Sequence, residues 1–324
     1  MRLRPETRFA LSAAALVLTG CGYVGDPLPP ALRRPNRVVD LAAVQRGAQI
    51  IIQFTLPKLT TEGLALNGDE DIELRVGPVD GVFEPAAWLS SADRVPAKAG
   101  NGAVRADVGV ARYTGRTVVV GVRIHGPKGR DSGWGNMVPL LVVKPLSTPA
   151  LLGAANAPDA VRLTWTGDAG EFHIYRRVAG SATWVFQGNS KENGFTDPFI
   201  EYGTKYEYFV QAVLKTDENK FAESELSEVL AFQPADRFPP AIPTGLSAAA
   251  GTRSVELVWE RSVDKDMAFY RLYRDGKQIG DNLTSASFSD AGVETGKTYR
   301  YQVSAVDSAG NESGLSEPIE SGVS

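Results

Sequence analysis

Apolar and polar side chains alternate along much of the chain with a period of two residues, which is typical of half-buried β-strands. The segments 255–259 (VELVW) and 299–305 (YRYQVSA) are clear examples. A helical period is almost absent, and turn signals such as Asp275-Gly276 separate the runs at the short spacing of antiparallel sheets. The pattern predicts an all-β protein built from β-sandwiches.

The alternating segments also recur at a nearly constant interval. Segment 203–213 (GTKYEYFVQAV) matches segment 296–306 (GKTYRYQVSAV) in register, with an offset of 93 residues. Trp165 matches Trp259 with an offset of 94 residues. A period of about 90 residues is typical of tandem domains rather than of a solenoid of short repeats.

Trp259 in the second predicted strand, Tyr270 in the third and Tyr299 at the start of the sixth carry a resemblance to a known family. On these residues, 240–320 resembles a fibronectin type III domain. The resemblance implies that Tyr299 is a tyrosine corner, whose hydroxyl bonds to nearby backbone. Segment 146–234 repeats the pattern, and the corresponding residues are Trp165, Tyr175 and Tyr206.

Residues 38–144 are predicted to form a third, divergent copy. QIIIQF at 49–54 suits the second strand, and GRTVVVGV at 115–122 suits the sixth. Val118 then stands at the tyrosine-corner position, where it has no hydroxyl. We therefore expect tandem fibronectin type III sandwiches over three segments, joined by short proline-bearing linkers that limit hinge motion. The segments are 38–144, 146–234 and 240–320.

The start of the chain predicts export. Arg2, Arg4 and Arg8 precede a short apolar run, 9–18, that is too short to span a bilayer. The following LTGC resembles the lipobox of bacterial lipoproteins, which implies that residues 1–20 are a signal peptide and that Cys21 carries the lipid. Cys21 is the single cysteine of the chain, so an internal disulfide is excluded.

Residues 21–37 are rich in proline and predict a tether beyond the lipid. Their start, CGYVGDPLPP, is also similar to small outer-membrane lipoproteins of lipopolysaccharide export. In Gram-negative lipoproteins an aspartate after the lipidated cysteine signals retention in the inner membrane, and Gly22 stands there instead. The resemblance therefore implies a lipid-anchored protein of the cell envelope, in the outer rather than the inner membrane.

Charge and composition narrow the partners. The formal net charge is −4, and no dense basic patch with interleaved aromatics occurs, so a nucleic acid partner is not expected. The pair Arg33 and Arg34 is interpreted as juxtamembrane charge beside the tether.

Residues for catalysis are scarce. His125 and His173 are the two histidines, and both are expected to be ordinary surface residues outside any metal site or catalytic triad. The acidic groups Asp69, Glu70 and Asp71 and the pair Asp264 and Asp266 are expected in solvated loops. We expect no enzyme, no metal and no cofactor. A hydrolase within 38–144 would need convergent carboxylates in a cleft, which a small sandwich hardly offers.

Three tryptophans remain after the cores are assigned, namely Trp88, Trp134 and Trp184. Exposed tryptophans stack on sugars or anchor protein partners. The leading hypothesis is a non-catalytic membrane-anchored lipoprotein, a spacer and interaction module that binds another envelope protein. The alternative is a carbohydrate-binding accessory lipoprotein, which predicts that one of these tryptophans is exposed beside polar side chains.

Overall fold

The computed structural model describes residues 33–66, 70–100, 102–126 and 129–323. Cys21, the signal segment 1–20 and most of the tether lie outside the described residues. The described chain is almost entirely β, as predicted. The strands are β1 Ala42–Arg46, β2 Gln49–Thr55, β3 Asp71–Pro78, β4 Asp93–Val95, β5 Ala99–Gly100, β6 Ala103–Gly109, β7 Thr117–His125, β8 Val138–Leu141, β9 Ala150–Ala157, β10 Ala160–Thr166, β11 Glu171–Val178, β12 Val185–Ser190, β13 Gly194–Asp197, β14 Tyr206–Asp217, β15 Lys220–Glu223, β16 Leu230–Phe232, β17 Ser247–Ala250, β18 Val255–Val258, β19 Met267–Arg274, β20 Lys277–Leu283, β21 Ser287–Asp290, β22 Thr298–Asp307 and β23 Ile319–Gly322, and helix α1, Pro85–Ser91, lies between β3 and β4.

The strands form three sandwiches in succession. In the first sandwich, strands in the order β1-β2-β6-β5 face strands in the order β4-β3-β7-β8. In the middle sandwich, β9-β10-β13 face β12-β11-β14, with β15 and β16 both paired to β14. In the third, β17-β18-β21 face β20-β19-β22-β23. Each sandwich encloses its own cluster of buried apolar side chains, as two stacked sheets with apolar inner faces require.

The inner faces follow the alternation of the sequence. In β2, Ile50, Ile52 and Phe54 are buried, and the residues between them point outward. The predicted tryptophans Trp165 and Trp259 lie in the cores of the middle and third sandwiches. The all-β sandwich prediction is therefore confirmed by the packing.

Both predicted tyrosine corners are present. The hydroxyl of Tyr206 accepts a hydrogen bond from the backbone N–H of Glu201 at 3.0 Å, and the hydroxyl of Tyr299 accepts one from Glu294 at 3.0 Å. These bonds fix the crossing from one sheet to the other in the middle and third sandwiches.

The first sandwich uses a different tyrosine. Val118 is fully buried at the corner position, and Tyr113 instead donates from its hydroxyl to the carboxylate of Asp93 at 2.7 Å. Burial, together with this hydrogen bond, raises the pKa of Tyr113 to about 12. A buried tyrosine hydroxyl thus bonds within the first sandwich, from a position that the sequence repeat did not single out.

The first and middle sandwiches are joined by strand pairing. β1 runs parallel to β15, with Gln45 opposite Ala222 and Arg46 opposite Glu223. The Arg46 guanidinium lies 2.8 Å from the Glu223 carboxylate, and the backbone N–H of Gly47 donates to the carbonyl of Glu223 at 2.8 Å. One sheet therefore continues from the first sandwich into the middle one, so the joint is held by backbone hydrogen bonds as well as by a short linker.

Candidate interaction surfaces

Two of the three predicted tryptophans belong to a small cluster outside the first sandwich core. Helix α1 places Trp88 against β3, where its side chain is 3% exposed and its indole N–H donates to the carbonyl of Gly77 at 3.2 Å. A Cβ at Gly77 would lie 2.6 Å from the Cβ of Ala92, so this close packing requires glycine. Trp88 is therefore buried, and the expectation of an exposed contact tryptophan is corrected for this residue.

Trp134 covers the same cluster. Its ring meets Trp88 edge-on at a centroid distance of 5.2 Å, and the Arg123 guanidinium lies 4.7 Å from the Trp134 ring. The side chain is half-buried. Trp134 therefore folds back over the sheet rather than projecting from its loop as a free anchor.

A network of charged side chains around Glu73 lies beside this cluster, on the outer side of β3 and β7. The buried carboxylate of Glu73 lies 2.6 Å from Arg75, 2.5 Å from Arg123 and 2.7 Å from His125 Nε2. Burial alone would raise the pKa of Glu73, but hydrogen bonds from Arg123, His125 and Arg75 outweigh it and lower the pKa to about 2. A carboxylate so held cannot act as a general acid near neutral pH.

The network around Glu73 also corrects the expectation that His125 is an ordinary surface residue. Its side chain is 27% exposed and its ring nitrogen bonds to Glu73, so His125 is part of a structural charge network and not a free surface residue. The acidic residues near it behave differently: Asp71 pairs with Arg94 in solvent, and Asp69 lies outside the described residues.

The outer side of the middle sandwich carries a continuous row of rings. They come from the outward positions of β11, β12, β14 and β15 and from the residue before β12. We call this row the aromatic face, and its members are Trp184, Phe209, Tyr175, Phe186, His173 and Phe221.

Neighbouring rings of the aromatic face touch throughout. Tyr175 stacks on Phe209 at 4.7 Å, and Trp184 meets Phe209 edge-on at 4.6 Å. The His173 ring lies between Phe186 at 5.2 Å and Phe221 at 5.1 Å. Stacked and edge-to-face rings at these distances favour each other beyond the area they bury, so the face is a preformed surface.

Part of the aromatic face remains open to solvent. Phe186 is 51% exposed. Charged pairs border the rings: Arg177 stands 4.4 Å over Trp184 and pairs with Glu207 at 2.6 Å, and Arg46 of the first sandwich pairs with Glu223. An apolar centre with a charged rim is the usual anatomy of a protein interface.

His173 is only partly as expected. It points outward between the buried Phe172 and Ile174, which confirms the predicted orientation. It is half-buried among rings, however, and this burial lowers its pKa. The ring is therefore mainly neutral near neutral pH and packs as an aromatic rather than as a surface cation.

The predicted position of Tyr175 is also corrected. The repeat assigned it the core role of Tyr270, but Phe172 is the residue that meets Trp165 edge-on at 5.4 Å, as Tyr270 meets Trp259 at 5.3 Å. Tyr175 is one residue away from the buried Ile174 and so belongs to the opposite side of the strand. Aromatics at alternate outward positions were the sequence signal for this face.

Carboxylates converge at the junction of the middle and third sandwiches. Asp236, Asp266 and Asp307 bring oxygens within 4.8 Å of one another, which is compatible with a hard cation such as Ca²⁺. Burial and the neighbouring carboxylates raise the pKa of Asp266. Asp307 accepts two hydrogen bonds from Asn311, both at 2.8 Å, so its oxygens already have protein partners.

The two aspartates predicted to lie in one loop, Asp264 and Asp266, have different surroundings. Asp266 belongs to the carboxylate cluster. Asp264 accepts from the backbone N–H of Ala241 at 2.7 Å and fixes the linker to the third sandwich.

Among the residues that the structure describes, no helix is both long and apolar enough to cross a membrane.

No established family profile matches the chain. Exoglucanase B of Cellulomonas fimi is 31% identical over 189 residues, which are 53% of this chain and 16% of the exoglucanase. An alpha-amylase of Niallia circulans is 37% identical over 83 residues, 25% of this chain and 6% of the amylase. The chain thus spans a small fraction of the curated relatives it matches.

Two solved structures are also similar. The FN1-FN3 domains of chicken CNTN1 align with 89% of this chain and 99% of that chain, at 13% identity and a TM-score of 0.28. A Fn3-like protein from Clostridium thermocellum aligns with 26% of this chain and 92% of that chain, at 34% identity and a TM-score of 0.23. With the sheet order and tyrosine corners above, the fold is that of tandem fibronectin type III β-sandwiches.

Proposed function

We propose that the chain is a non-catalytic lipoprotein, anchored through acylated Cys21, that acts as a spacer and protein-interaction module of the bacterial cell envelope. The observation that carries the proposal is the aromatic face of the middle sandwich. The solvent side of an antiparallel sheet is ordinarily polar, whereas here it bears contiguous rings.

The composition of this face favours a protein partner. Aromatic residues and arginine are enriched at the centres of protein interfaces, and charge pairs at the rim contribute specificity more than affinity. Phe186 is the most exposed ring of the row and is the expected anchor. The strand pairing between β1 and β15 presents the face on a continuous sheet, which supports a spacer with a fixed display surface.

The aromatic face does not have the form of a catalytic site. The aromatic face lies on a sheet rather than in a cleft, and the buried carboxylate of Glu73 is already held by ion pairs with its own neighbours. The relatives are enzymes, but the matched regions are small parts of them. The proposal is therefore a binding module rather than an enzyme.

A carbohydrate-binding accessory is the second candidate. It is favoured by the relatives, whose names are those of an exoglucanase and an alpha-amylase. Rings on a sheet face can stack on sugars, and Asn189 and Glu171 provide hydrogen-bonding groups beside them. Trp184 is half-buried under Arg177, so Phe186 would be the first ring to meet a glycan.

The test is cross-linking in native membranes followed by affinity purification of the lipidated chain. Phe186→Ser removes the exposed ring, and Val263→Ser is the matched control because Val263 is 93% exposed on the third sandwich. Cys21→Ser is the unanchored control. We expect one envelope protein with the unchanged chain and with Val263→Ser, and its loss with Phe186→Ser and Cys21→Ser.

Recovery of the same protein with Phe186→Ser would contradict the role of the aromatic face. If no protein is enriched, a glycan array with the unchanged chain and Phe186→Ser decides the second candidate. Glycan binding that depends on Phe186 would favour the accessory, and the absence of both signals would overturn the interaction module.

A further inference from the structure

A second surface lies at the end of the first sandwich where the chain arrives from Cys21. Four basic side chains there are exposed, and among the described residues none of them forms an ion pair. They are Arg33, Arg34, Arg37 and Lys58. In contrast, many arginines elsewhere in the same sandwich are neutralised by carboxylates, namely Arg46, Arg75, Arg94, Arg105, Arg112, Arg116 and Arg123.

Backbone hydrogen bonds hold this end of the first sandwich together. The carbonyl of Arg34 accepts from the N–H of Thr61 at 2.9 Å, and the N–H of Asn36 donates to the carbonyl of Leu59 at 3.1 Å. Arg37 donates from Nε to the carbonyl of Ser132 at 3.2 Å. The arriving segment is thus fixed to the turn that follows Lys58, and its charges are displayed together.

Exposed apolar side chains lie among these charges. Val39 is 82% exposed, Leu59 46% and Leu64 42%. Val39 lines the same open depression as Arg34 and Arg37. Basic side chains interleaved with exposed aliphatic ones are typical of surfaces that settle into the interface of an anionic bilayer. We call these seven residues the basic end.

The acidic residues beside the basic end are already engaged. Glu62 accepts from the Thr61 hydroxyl at 2.9 Å, and Asp40 accepts from the backbone N–H of Thr55 at 3.1 Å. These donors are uncharged and leave both carboxylates ionised, but four cations stand beside these two carboxylates, so the local charge is positive although the chain as a whole carries −4.

The length of chain ahead of the basic end points to its occupant. Arg33 follows Cys21 by 12 residues, which would span about 37 Å as a polyproline helix and at most about 43 Å if fully extended. A lipid on Cys21 would confine the basic end within that distance of the bilayer, where its effective concentration is high. A membrane surface is thus the partner that the basic end meets continuously.

We propose that the basic end docks on anionic phospholipid headgroups of the bilayer that holds the Cys21 lipid. Docking places the first sandwich against the membrane. This inference rests on the proposed lipid anchor, but the following experiment supplies its own anchor and reads the docking separately.

The unacylated mature chain is coupled through the Cys21 thiol, the single cysteine, to maleimide lipid in vesicles. One set of vesicles is phosphatidylcholine, and the other is equal parts of phosphatidylcholine and phosphatidylglycerol. Hydroxyl-radical footprinting then reports the exposure of Val39 and Leu59, and Val263 on the third sandwich is the internal control. We expect severalfold protection of Val39 and Leu59 on phosphatidylglycerol only, and unchanged oxidation of Val263.

The triple variant Arg33→Gln, Arg34→Gln, Arg37→Gln should abolish the protection. Each basic side chain near an anionic surface contributes about fivefold, so the docked fraction relative to the undocked falls roughly 100-fold. A control with the same change of net charge uses three exposed arginines elsewhere, Arg162→Gln, Arg253→Gln and Arg261→Gln, and should keep the protection.

Equal protection on both kinds of vesicle, no protection on either, or equal loss in both triple variants would overturn the inference. The anchor itself is tested separately by mass spectrometry of the chain extracted from native membranes. Absence of acyl groups on Cys21 would remove the lipoprotein proposal and leave the vesicle result readable.

Discussion

Substitution of Glu73 by glutamine gives the sharpest test of the packing of the first sandwich. The carboxylate is 6% exposed and contacts Arg75, Arg123 and His125. Its pKa falls from the usual 4.5 to about 2 on folding. At about 1.4 kcal/mol for each pKa unit, the ionised carboxylate stabilises the sandwich by about 3 kcal/mol, which Glu73→Gln would remove.

The pH dependence has a defined direction. A carboxylate whose pKa is lowered by folding contributes its full stability above the unfolded pKa and loses it as the pH falls toward the folded pKa. The advantage of the unchanged chain over Glu73→Gln should therefore be complete near neutral pH and shrink between about pH 4.5 and pH 2. Asp71→Asn, on the same strand in an exposed pair, should cost less than about 1 kcal/mol.

Hydrogen exchange measured by mass spectrometry resolves the effect by sandwich. Amides of β3 and β7 should exchange roughly 100-fold faster in Glu73→Gln near neutral pH, because opening becomes easier by about 3 kcal/mol. Amides of β19 and β22 in the third sandwich are the internal control. Equal acceleration by Asp71→Asn, or a difference that persists unchanged at acid pH, would refute the reasoning.

Three further predictions concern the corners, the joint and the aromatic face. Tyr206→Phe and Tyr299→Phe each remove one hydrogen bond to a tyrosine hydroxyl. Each variant should destabilise its own sandwich by about 1 kcal/mol in chemical denaturation, and an effect confined to the other sandwich would contradict the corner role. Gly47 has φ +51, which valine rarely adopts, and its N–H bonds to Glu223 at the joint, so Gly47→Val should broaden the small-angle scattering distance distribution. Gly115→Val is equally strained at φ +82 but lies outside the joint, so it should not. Burial lowers the pKa of His173, so its imidazole should titrate below pH 6.5 when followed by NMR. Because protonation is easier in the unfolded chain, the free energy of unfolding should decrease as the pH drops below 6.5. A titration midpoint above 6.5 would contradict this packing.

The fold could be predicted from the sequence because every level of pattern agreed. Alternation fixed which residues of β2 and β22 face the core, and the repeat placed both tyrosine corners. Local pattern and global packing point the same way in such a chain. The divergent first copy lacked the corner hydroxyl, and its substitute Tyr113 could not be found from a register that matched only Val118.

The aromatic face was harder to predict because it depends on which side of a strand a residue occupies. A shift of one residue moves a side chain from the core to the solvent, so Tyr175 was assigned to the wrong face. The pairing of β1 with β15 joins segments about 177 residues apart, and no local pattern encodes it. Trp88 was misread because it lies on a helix of seven residues between strands, and this helix turns the indole against the sheet.

Site-specific photo-cross-linking tests the central claim most directly. A photoreactive phenylalanine analogue replaces Phe186 in the full chain in its native membrane, and the same analogue at Val263 serves as the control. The account predicts one discrete cross-linked species from position 186 that is absent from position 263 and lost with Cys21→Ser. The same species from both positions, or none from position 186, would contradict a membrane-anchored module that binds through its aromatic face.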